Sequence, residues 1–383
     1  MDVPEEDIFV ASAIALDARN RPFIGNRVYQ LKGSPRFQRY KNLFYHFKLD
    51  LGTSAAATWY KDAQHEDYNH PAKLSGKVLN FCRRMMLRQD VVWRNVVITV
   101  PASFQHAQRR DVVEAARYAR IEHEGNLMAD EPNAALVGYL NECPMAVRQS
   151  LVHSTTPTTW LVIDFGGGTC DLSLLEIRYD VQQGLLVRNL AISRYQDVGG
   201  QDLDRLLVEM FLLDQVQLPQ DELQRQLVLE RLGALVEKLK IQLSRTLASA
   251  GPDEEWDRLL PPLLDQPEVL AGAALPNGQQ IDIKVTAQQL KEATARLFAH
   301  QRVVLQSIDK TLTTIPAMVA DILEKADRRK SQVTHVLLVG GSVQNPWFVQ
   351  EVRKMFGRSH VILPVHPDQL VGGGRAAANG CAT

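Results

Sequence analysis

Residues 164–171 read Asp-Phe-Gly-Gly-Gly-Thr-Cys-Asp and decide the fold. They lie between the apolar, β-branched run at 160–165 and the alternating run at 172–177. Two strand patterns joined by glycines predict a β-hairpin with a wide turn. The stretch is no P-loop, because no Gly-Lys-Ser/Thr ends it and no helix follows directly.

This turn supplies groups that bind an anion together with a cation. Glycines have no Cβ, so successive amide N–H groups can approach a ligand and form an anion-binding nest. A hydroxyl and two carboxylates stand beside them, and carboxylates hold magnesium through water. The alternative is a hairpin whose glycines only permit a tight reversal. The candidate phosphate-binding residues are Gly166, Gly167, Gly168 and Thr169, and the candidate metal-binding residues are Asp164 and Asp171.

Composition excludes several classes of protein. The 383 residues include 43 Lys and Arg against 44 Asp and Glu, a net charge of -1 that argues against a nucleic-acid surface. No apolar run reaches the roughly 18 residues of a membrane span. The N-terminus is acidic and the cysteines form no Cys-x-x-Cys pair, so we expect a cytoplasmic protein without disulfides or zinc.

Strand and helix patterns alternate along the chain, which predicts a layered α/β architecture. Periodicity predicts strands at 95–100, 160–165, 172–177 and 335–339. It predicts helices at 105–120 and 221–245, a long helical stretch at 286–326 broken near Pro316, and a helix opening at Pro346 and running to about Phe356. Segments 145–159 and 251–276 are predicted to be loops.

At this point the sequence resembles the ATP-binding domain of the seventy-kilodalton heat-shock chaperones (DnaK type). Residues 164–171 resemble that family's second phosphate loop. The other similar segments follow in the family's order: 97–104 with a strand-to-helix connector, 130–135 with the hinge, 198–204 and 339–346 with two adenosine loops, and 366–378 with the closing helix.

The resemblance implies a two-lobed, actin-like (ribonuclease H-like) α/β ATPase fold. Each lobe would be a mixed sheet flanked by helices, with inserted subdomains. Lobe I would comprise 1–156 plus 363–383, and lobe II 157–362 with an insertion at about 200–290. ATP or ADP would bind between the lobes with Mg²⁺, and K⁺ is an additional candidate. A co-chaperone or another protein is the implied partner, with no nucleic acid and no membrane.

The resemblance also implies roles for individual residues. Asp164 would orient magnesium-bound water, Glu131 would be the hinge carboxylate near the metal and the attacking water, and Asp171 would lie behind them. Lys41 is the best candidate for the family's catalytic lysine, and a surface cation is an equally open interpretation. Nucleoside contacts would come from Gly199, Gly200, Glu237, Lys240, Ser244, Gly340, Gly341, Ser342 and Asp368.

Some of these residues have a simpler interpretation. Glu131 could be a helix N-terminal carboxylate that interacts favourably with the helix dipole. Glu237 and Lys240 could form a solvated ion pair on one helix face.

The chain also departs from the family pattern. The first phosphate hairpin is missing from its expected place. Residues 49–54 read almost like it, but they come after the segment that should follow that loop. Ile241 and Gln344 stand where the family has arginines, so a cation–π contribution of about 0.5–2 kcal/mol is lost and weaker or altered nucleotide affinity is expected. No β-rich peptide-binding domain is present in this sequence, so we expect that it cannot clamp a client peptide by itself.

Three functions remain open. The first is a chaperone-type ATPase domain that hydrolyses ATP slowly, if at all. The second is a non-catalytic nucleotide-sensing or exchange-factor-like module that acts through a protein partner. The third, a sugar or glycerol kinase of the same fold, predicts a second-substrate site in the cleft.

Overall fold

The structure is a computed structural model. It describes residues 10–29, 31–34, 36–89, 96–121, 127–145, 149, 156–180, 182, 184–194, 196–249 and 263–371. Several predictions lie in part outside the described residues: the start of the strand at 95–100, much of the loops at 145–159 and 251–276, and the closing segment from 372 onward.

A five-stranded mixed sheet forms the centre of the molecule. Its spatial order is β14 (Val361–Ile362), β13 (His335–Val339), β6 (Thr158–Phe165), β7 (Cys170–Asp180) and β8 (Gly184–Ile192). β13 pairs in parallel with β6, whereas β6, β7 and β8 form an antiparallel meander. The predicted glycine hairpin is therefore confirmed as the β6–β7 turn.

Side chains alternate between the two faces of this sheet, and both faces are buried. On one face Ile163 and Leu172 belong to a large core formed with five helices. These are α6 (Gly200–Phe211), α7 (Glu222–Ala248), α8 (Ala287–Leu297), α9 (Ile315–Lys325) and α10 (Pro346–Phe356). On the other face Trp160 and Val162 pack against α5 (Glu131–Glu142).

The N-terminal part has smaller sheets of its own. One is antiparallel, in the order β2 (Pro22–Ile24), β1 (Ala13–Leu16) and β3 (Leu43–Tyr45), and another pairs β4 (Ile98–Val100) in parallel with β5 (Met128–Asp130). The helices of this part are α1 (Asn26–Tyr29), α2 (Ala56–Trp59), α3 (Pro71–Arg88) and α4 (His106–Tyr118). α5 begins directly after β5, so Glu131 is placed at the carboxyl edge of a sheet.

The helical stretch predicted at 286–326 is wrong as one interrupted helix. α8 ends at Leu297, a hairpin of β11 (Val303–Leu305) and β12 (Lys310–Leu312) follows, and α9 begins at Ile315. The β-branched pair at 303–304 favours a strand, and Asp309, with φ 48°, adopts the left-handed conformation that the tight connection needs. Pro316 lies in the first turn of α9, where proline is tolerated, and breaks nothing.

The loop predicted at 251–276 is wrong over its last part. β9 (Pro267–Ala274) pairs with β10 (Gln280–Thr286) in an antiparallel hairpin. β10 alternates buried and exposed residues, the pattern of a strand with one solvent-facing side.

The chain has the α/β fold of the actin-like type, as predicted. The lobe boundaries given above stay a prediction. Over the ranges that the structure describes, no helix is both long and apolar enough to cross a membrane.

Candidate functional site

Two carboxylates face each other across the glycine hairpin. Asp164 and Asp171 are directly paired residues of β6 and β7, so their side chains project from the same face. Burial, with the charges of Glu131 and Asp171, raises the pKa of Asp164 to about 7. Burial likewise raises the pKa of Asp171. Because Glu131, Asp164 and Asp171 repel one another where little water is present, a bound cation would be favourable there.

Lys48 is the cation that the structure places at these acids. Its ammonium group donates to Oε1 of Glu131 at 2.8 Å. Partial desolvation acts to lower the pKa of Lys48, whose side chain is 47% exposed, but the charges of Glu131, Asp164 and Asp171 raise it overall. The Lys48 charge thus opposes the rise in the pKa values of Asp164 and Asp171, and the nearby acids stabilise the charged form of the lysine.

The structure places Lys41, the lysine proposed from the resemblance, before a strand, and it brings Lys48 to Glu131. Lys41 lies in the turn before β3, where its N–H donates to the Gln38 carbonyl at 3.2 Å, and its side chain is exposed. Lys48 comes seven positions after Lys41, beyond β3 and the turn that follows it, and it is this lysine that lies at the carboxylates. Two lysines close in sequence lie at opposite ends of one strand, and that strand could not be located from the sequence pattern.

The backbone of the glycine turn is arranged for an anion. The Gly166 N–H donates to the Thr169 carbonyl at 2.9 Å and closes the turn. The carbonyls of Gly166 and Gly167 accept from the N–H groups of Gly200 and Gln201 at 2.9 and 2.8 Å. Among the described residues, the N–H groups of Gly167, Gly168 and Thr169 have no acceptor. The turn thus directs its carbonyls into the protein and keeps three donors available, which is the arrangement of an anion-binding nest.

Two further glycine turns pack against this one at distances that exclude a side chain. A Cβ on Gly199 would lie 2.7 Å from the carbonyl carbon and oxygen of Gly167. A Cβ on Gly340, whose φ is 94°, would lie 2.6 Å from the Phe165 carbonyl oxygen and 2.7 Å from Oδ1 of Asp164. The sequence motifs at 198–204 and 339–346 therefore meet the 164–171 turn at one place.

Ser342 and the closing segment reach the same place. The Ser342 hydroxyl donates to the Gly166 carbonyl at 2.9 Å. The Gly340 N–H donates to the Pro367 carbonyl at 3.0 Å, which places Asp368, half-buried, near this turn along the chain. Gly341 is exposed, and no atom lies within 4 Å of where its Cβ would be.

The residues predicted for the nucleoside are only partly accessible. Lys240 is buried, donates to the Gly200 carbonyl at 2.8 Å, and lies 2.8 Å from Oδ1 of Asp204. The solvated Glu237–Lys240 pair considered above is not what the structure shows, because Lys240 joins α7 to α6. Burial raises the pKa of Asp204 to about 7, although Lys240 acts to lower it. Ser244 is buried on the same helix as Lys240.

A cavity of about 420 Å³ lies beside these residues. The N-terminal part lines it with Lys32, Arg39, Tyr45 and His46, and the C-terminal part with residues that include Gln201, Asp204, Glu230 and Glu237. Two features join the sides: burial and the nearby Glu230 charge raise the pKa of the Tyr45 hydroxyl, and Nε2 of His46 lies 2.7 Å from Nε2 of Gln201. The two parts of the chain therefore meet above the glycine turn.

Ile241 and Gln344 occupy the two positions at which the family has arginines. Ile241 is 42% exposed on α7 and can offer only apolar contact. Gln344 is half-buried in the turn before α10.

Residues 49–54 form a structural turn. Oδ2 of Asp50 accepts from the Tyr60 hydroxyl at 2.6 Å, and the Gly52 N–H donates to Asp111 of α4 at 2.8 Å. The acids that raise the pKa of Asp164 are Glu131 and Asp171, whereas Asp50 raises that of Tyr60. The geometry supports the interpretation that this segment resembles the phosphate loop in sequence but does not serve as one.

The donor set suits a cation held through water. In the described part of the chain, no group of three or more His, Cys, Asp or Glu side chains is placed to ligate a metal directly. Magnesium keeps several of its waters and needs only one or two carboxylates. Asp164 and Asp171, beside three unbonded amides, fit a hydrated magnesium ion next to phosphate.

Sequence reasoning missed residues that act across the cleft. Besides Lys48, these include Ser103, whose hydroxyl donates to Oδ1 of Asp171 at 2.6 Å. Segment 97–104 resembles the family's strand-to-helix connector, but nothing in the local sequence identifies its serine as a site residue. The His46–Gln201 contact was missed for the same reason, since its members are 155 positions apart.

Comparison with known proteins gives one family. The family model described as "Hsp70 protein" matches residues 28–252 and 268–382. "Heat shock cognate HSP70 protein" of Trypanosoma brucei brucei is 26% identical over 313 residues, 80% of this chain and 39% of that protein. "Chaperone protein DnaK" of Stenotrophomonas maltophilia (strain R551-3) is 31% identical over 319 residues, 81% of this chain and 42% of that protein. The chain thus spans about two fifths of the length of these curated relatives.

Proposed function

This chain belongs to the Hsp70 family and corresponds to its nucleotide-binding domain, and from that premise we propose that it binds ATP or ADP with Mg²⁺ between two lobes and hydrolyses ATP slowly. The observation that carries the proposal is the glycine turn with its three available amides beside Asp164 and Asp171. K⁺ is a further candidate cation at the same acids.

In this proposal the protein contributes mainly position and charge, as phosphoryl transfer requires. Bound magnesium would neutralise phosphate charge. The amides of Gly167, Gly168 and Thr169 bind phosphate oxygens. Glu131 and Asp164 orient the attacking water, and Lys48 fixes Glu131 while adding positive charge near the phosphate.

The nucleoside would lie against the Gly199–Gly200 and Gly340–Gly341 turns. Because Lys240 is engaged with Asp204 and the Gly200 carbonyl, we assign it to shaping the Gly200 turn, with Glu237 as the more accessible polar contact. Ile241 covers a base without a cation–π contribution, so the proposed affinity is modest.

The proposal includes a cellular setting. Three described cysteines, Cys82, Cys143 and Cys170, form no disulfide, which suits a reducing compartment such as the cytoplasm. The division into lobe I (1–156 plus 363–383) and lobe II (157–362) belongs to the same proposal.

An ATP turnover assay with radiolabelled substrate tests the catalytic part. Asp164→Asn and Glu131→Gln should each lower turnover by about 100-fold, as expected when a positioned charge is removed. Glu114→Gln, at a half-buried position of α4 where Glu114 pairs with Arg117, is the matched control and should behave as wild type. Turnover that is unchanged by the first two substitutions would contradict catalysis at this site.

A second candidate function is a non-catalytic module that reports nucleotide state to a partner protein such as a co-chaperone. It is favoured by the hydrogen bonds within residues 49–54, the sequence most similar to a first phosphate loop. Asp50 accepts from the Tyr60 hydroxyl and the Gly52 N–H donates to Asp111, so these polar groups are engaged elsewhere, although the Leu49 side chain lies against Gly168. Calorimetry with ADP and ATP, with and without magnesium, distinguishes the two: tight binding with no turnover supports the module.

A further inference from the structure

We propose that Ser103 is a positioning residue that sets the orientation of the Asp171 carboxylate toward a hydrated magnesium ion. The inference rests on the proposed function and extends it to a residue on the opposite side of the cleft. Ser103 itself would touch neither nucleotide nor metal.

The hydrogen bond is short and reaches a buried acceptor. The Ser103 hydroxyl donates to Oδ1 of Asp171 at 2.6 Å, across 68 positions of sequence. Asp171 is 8% exposed, so little water competes for that oxygen. A hydrogen bond from a hydroxyl to a carboxylate is charge-assisted and stronger than a neutral one.

A second donor approaches the same carboxylate from the glycine turn. The Thr169 hydroxyl lies close enough to Asp171 to act on the pKa of its carboxyl and lower it. Asp171 therefore has a polar neighbour on its own hairpin and a hydrogen-bond donor on the N-terminal part of the chain. Outer partners of this kind fix the direction in which a metal-side carboxylate presents its oxygens.

Hydrogen bonds and buried neighbours fix the segment that carries Ser103 on both sides of the serine. The Phe104 N–H donates to the Pro101 carbonyl at 3.0 Å, and Nε of Arg109 donates to the Phe104 carbonyl at 2.9 Å. The neighbours Ala102 and Phe104 are both buried. Anchors on either side direct the intervening serine away from the core and toward Asp171.

Ser103 also links the two sides of the cleft. It lies between β4 and α4, whereas Asp171 lies at the start of β7 in the central sheet. The orientation of the carboxylate consequently depends on the relative position of the two sides. Without the hydroxyl, Asp171 would lose its hydrogen bond from the opposite side of the cleft, and the carboxylate would be free to rotate away from the hydrated ion.

Calorimetric titration of ADP at a series of magnesium concentrations, and in EDTA, tests the inference on the full chain. Ser103→Ala should raise the magnesium concentration needed for half-maximal enhancement of ADP affinity by about tenfold, the low end for loss of an outer partner because the ion is held through water. ADP affinity in EDTA should be unchanged, and Ser103→Thr should restore the wild-type magnesium requirement. Ser249→Ala removes an exposed hydroxyl that bonds to the Thr246 carbonyl and serves as the matched control.

Each other outcome has a defined meaning. A wild-type magnesium requirement in Ser103→Ala overturns the inference and leaves the proposed function standing. An equal loss of ADP affinity in EDTA and in magnesium overturns it too, since that pattern indicates a general structural role. Absence of magnesium-dependent ADP binding in the wild type defeats the proposed function and this inference with it. If Ser103→Ala does not fold, Ser103→Cys, which keeps the volume and only a weak donor, should show the same shift.

Discussion

Lys48 interacts electrostatically with Glu131, Asp164 and Asp171, so its removal should affect all three acids. Lys48→Ala leaves Glu131, Asp164 and Asp171 without a compensating positive charge. We expect ATP turnover to fall by about 100-fold, in the range found when one electrostatic contributor is removed from a preorganised site. Steady-state turnover of labelled ATP is the measurement.

Lys41→Ala is the matched control for this prediction. The structure brings Lys48, and not Lys41, to Glu131, so turnover of Lys41→Ala should stay at the wild-type level. The reverse pattern, with Lys41→Ala inactive and Lys48→Ala active, would show that the ion pair with Glu131 is irrelevant to catalysis.

Gly340 is a residue at which a single added methyl group should destabilise both the fold and the site. Its φ of 94° disfavours any side chain, and a Cβ would lie 2.7 Å from Oδ1 of Asp164. Gly340→Ala should lower the free energy of unfolding by at least about 2 kcal/mol and weaken nucleotide binding, because Asp164 must move. Urea denaturation and ADP titration measure the two effects.

Gly233 supplies the contrast for Gly340. It lies inside α7, and nothing lies within 4 Å of where its Cβ would be. Gly233→Ala should therefore raise the free energy of unfolding by about 0.5–1 kcal/mol through helix propensity. Equal losses of stability in both variants would argue against the close packing of the glycine turns.

At the scale of elements, the buried pair Asp204–Lys240 joins α6 to α7 and should make stability depend on pH. The pKa of Asp204 is raised from 3.8 to about 7 on folding, so its favourable contribution is complete below pH 3.8 and is lost as pH rises through 7. The stability of wild type relative to Asp204→Asn should therefore fall by about 1–3 kcal/mol between pH 5 and pH 8. Urea denaturation of both proteins across this range measures the difference.

The control for this pH effect is Asp214→Asn, at an exposed position after α6. Its stability relative to wild type should not follow the curve of Asp204→Asn. Parallel curves for wild type and Asp204→Asn would contradict a raised pKa for Asp204.

Elements with strong local signals were predictable from the sequence. The runs at 160–165 and 335–339 are apolar and β-branched, and they are the central strands β6 and β13, because a strand buried on both faces needs a continuous apolar run. The stretch at 286–326 was not predictable as β11 and β12. Each of these strands has only three residues, and their hairpin is held by tertiary contacts such as Lys310 with the buried Asp202 at 2.8 Å.

The site divides in the same way. The glycine turn could be predicted because its chemistry is contiguous from Asp164 to Asp171. Lys48 and Ser103 could not, since each joins the site across dozens of positions and neither stands in a distinctive local pattern. The resemblance directed attention to a lysine in the correct region, but only the structure shows which end of β3 faces the acids.

At the scale of the whole molecule, Tyr45 and Glu230 line the same cavity from the two sides of the cleft, and the Glu230 charge acts on the Tyr45 hydroxyl. Tyr45→Phe removes the hydroxyl and keeps the ring. A polar interaction with a charged group contributes about 1.5–3 kcal/mol, so we expect ADP to dissociate about tenfold faster. Stopped-flow displacement of a fluorescent ADP analogue measures the dissociation rate.

Tyr68→Phe, in the same N-terminal sheet region, is the control for this prediction. Tyr68 is buried and stacks on Phe44, with ring centroids 6.1 Å apart, away from the cavity. Its release rate should match wild type. An unchanged rate in Tyr45→Phe would show that the cleft opens without breaking the Glu230 contact.

The apolar surface that α5 presents to the central sheet has a consequence for how the gene can be divided. Ala135 and Leu136 are wholly buried against Trp160 and Val162, although the chain between them passes through residues 145–157. If the chain were divided in that segment, each of the two pieces would expose an apolar surface that is complementary to the other. Made separately they should precipitate, and made together in one cell they should co-purify as a reassembled pair, so the molecule is a natural candidate for a split reporter.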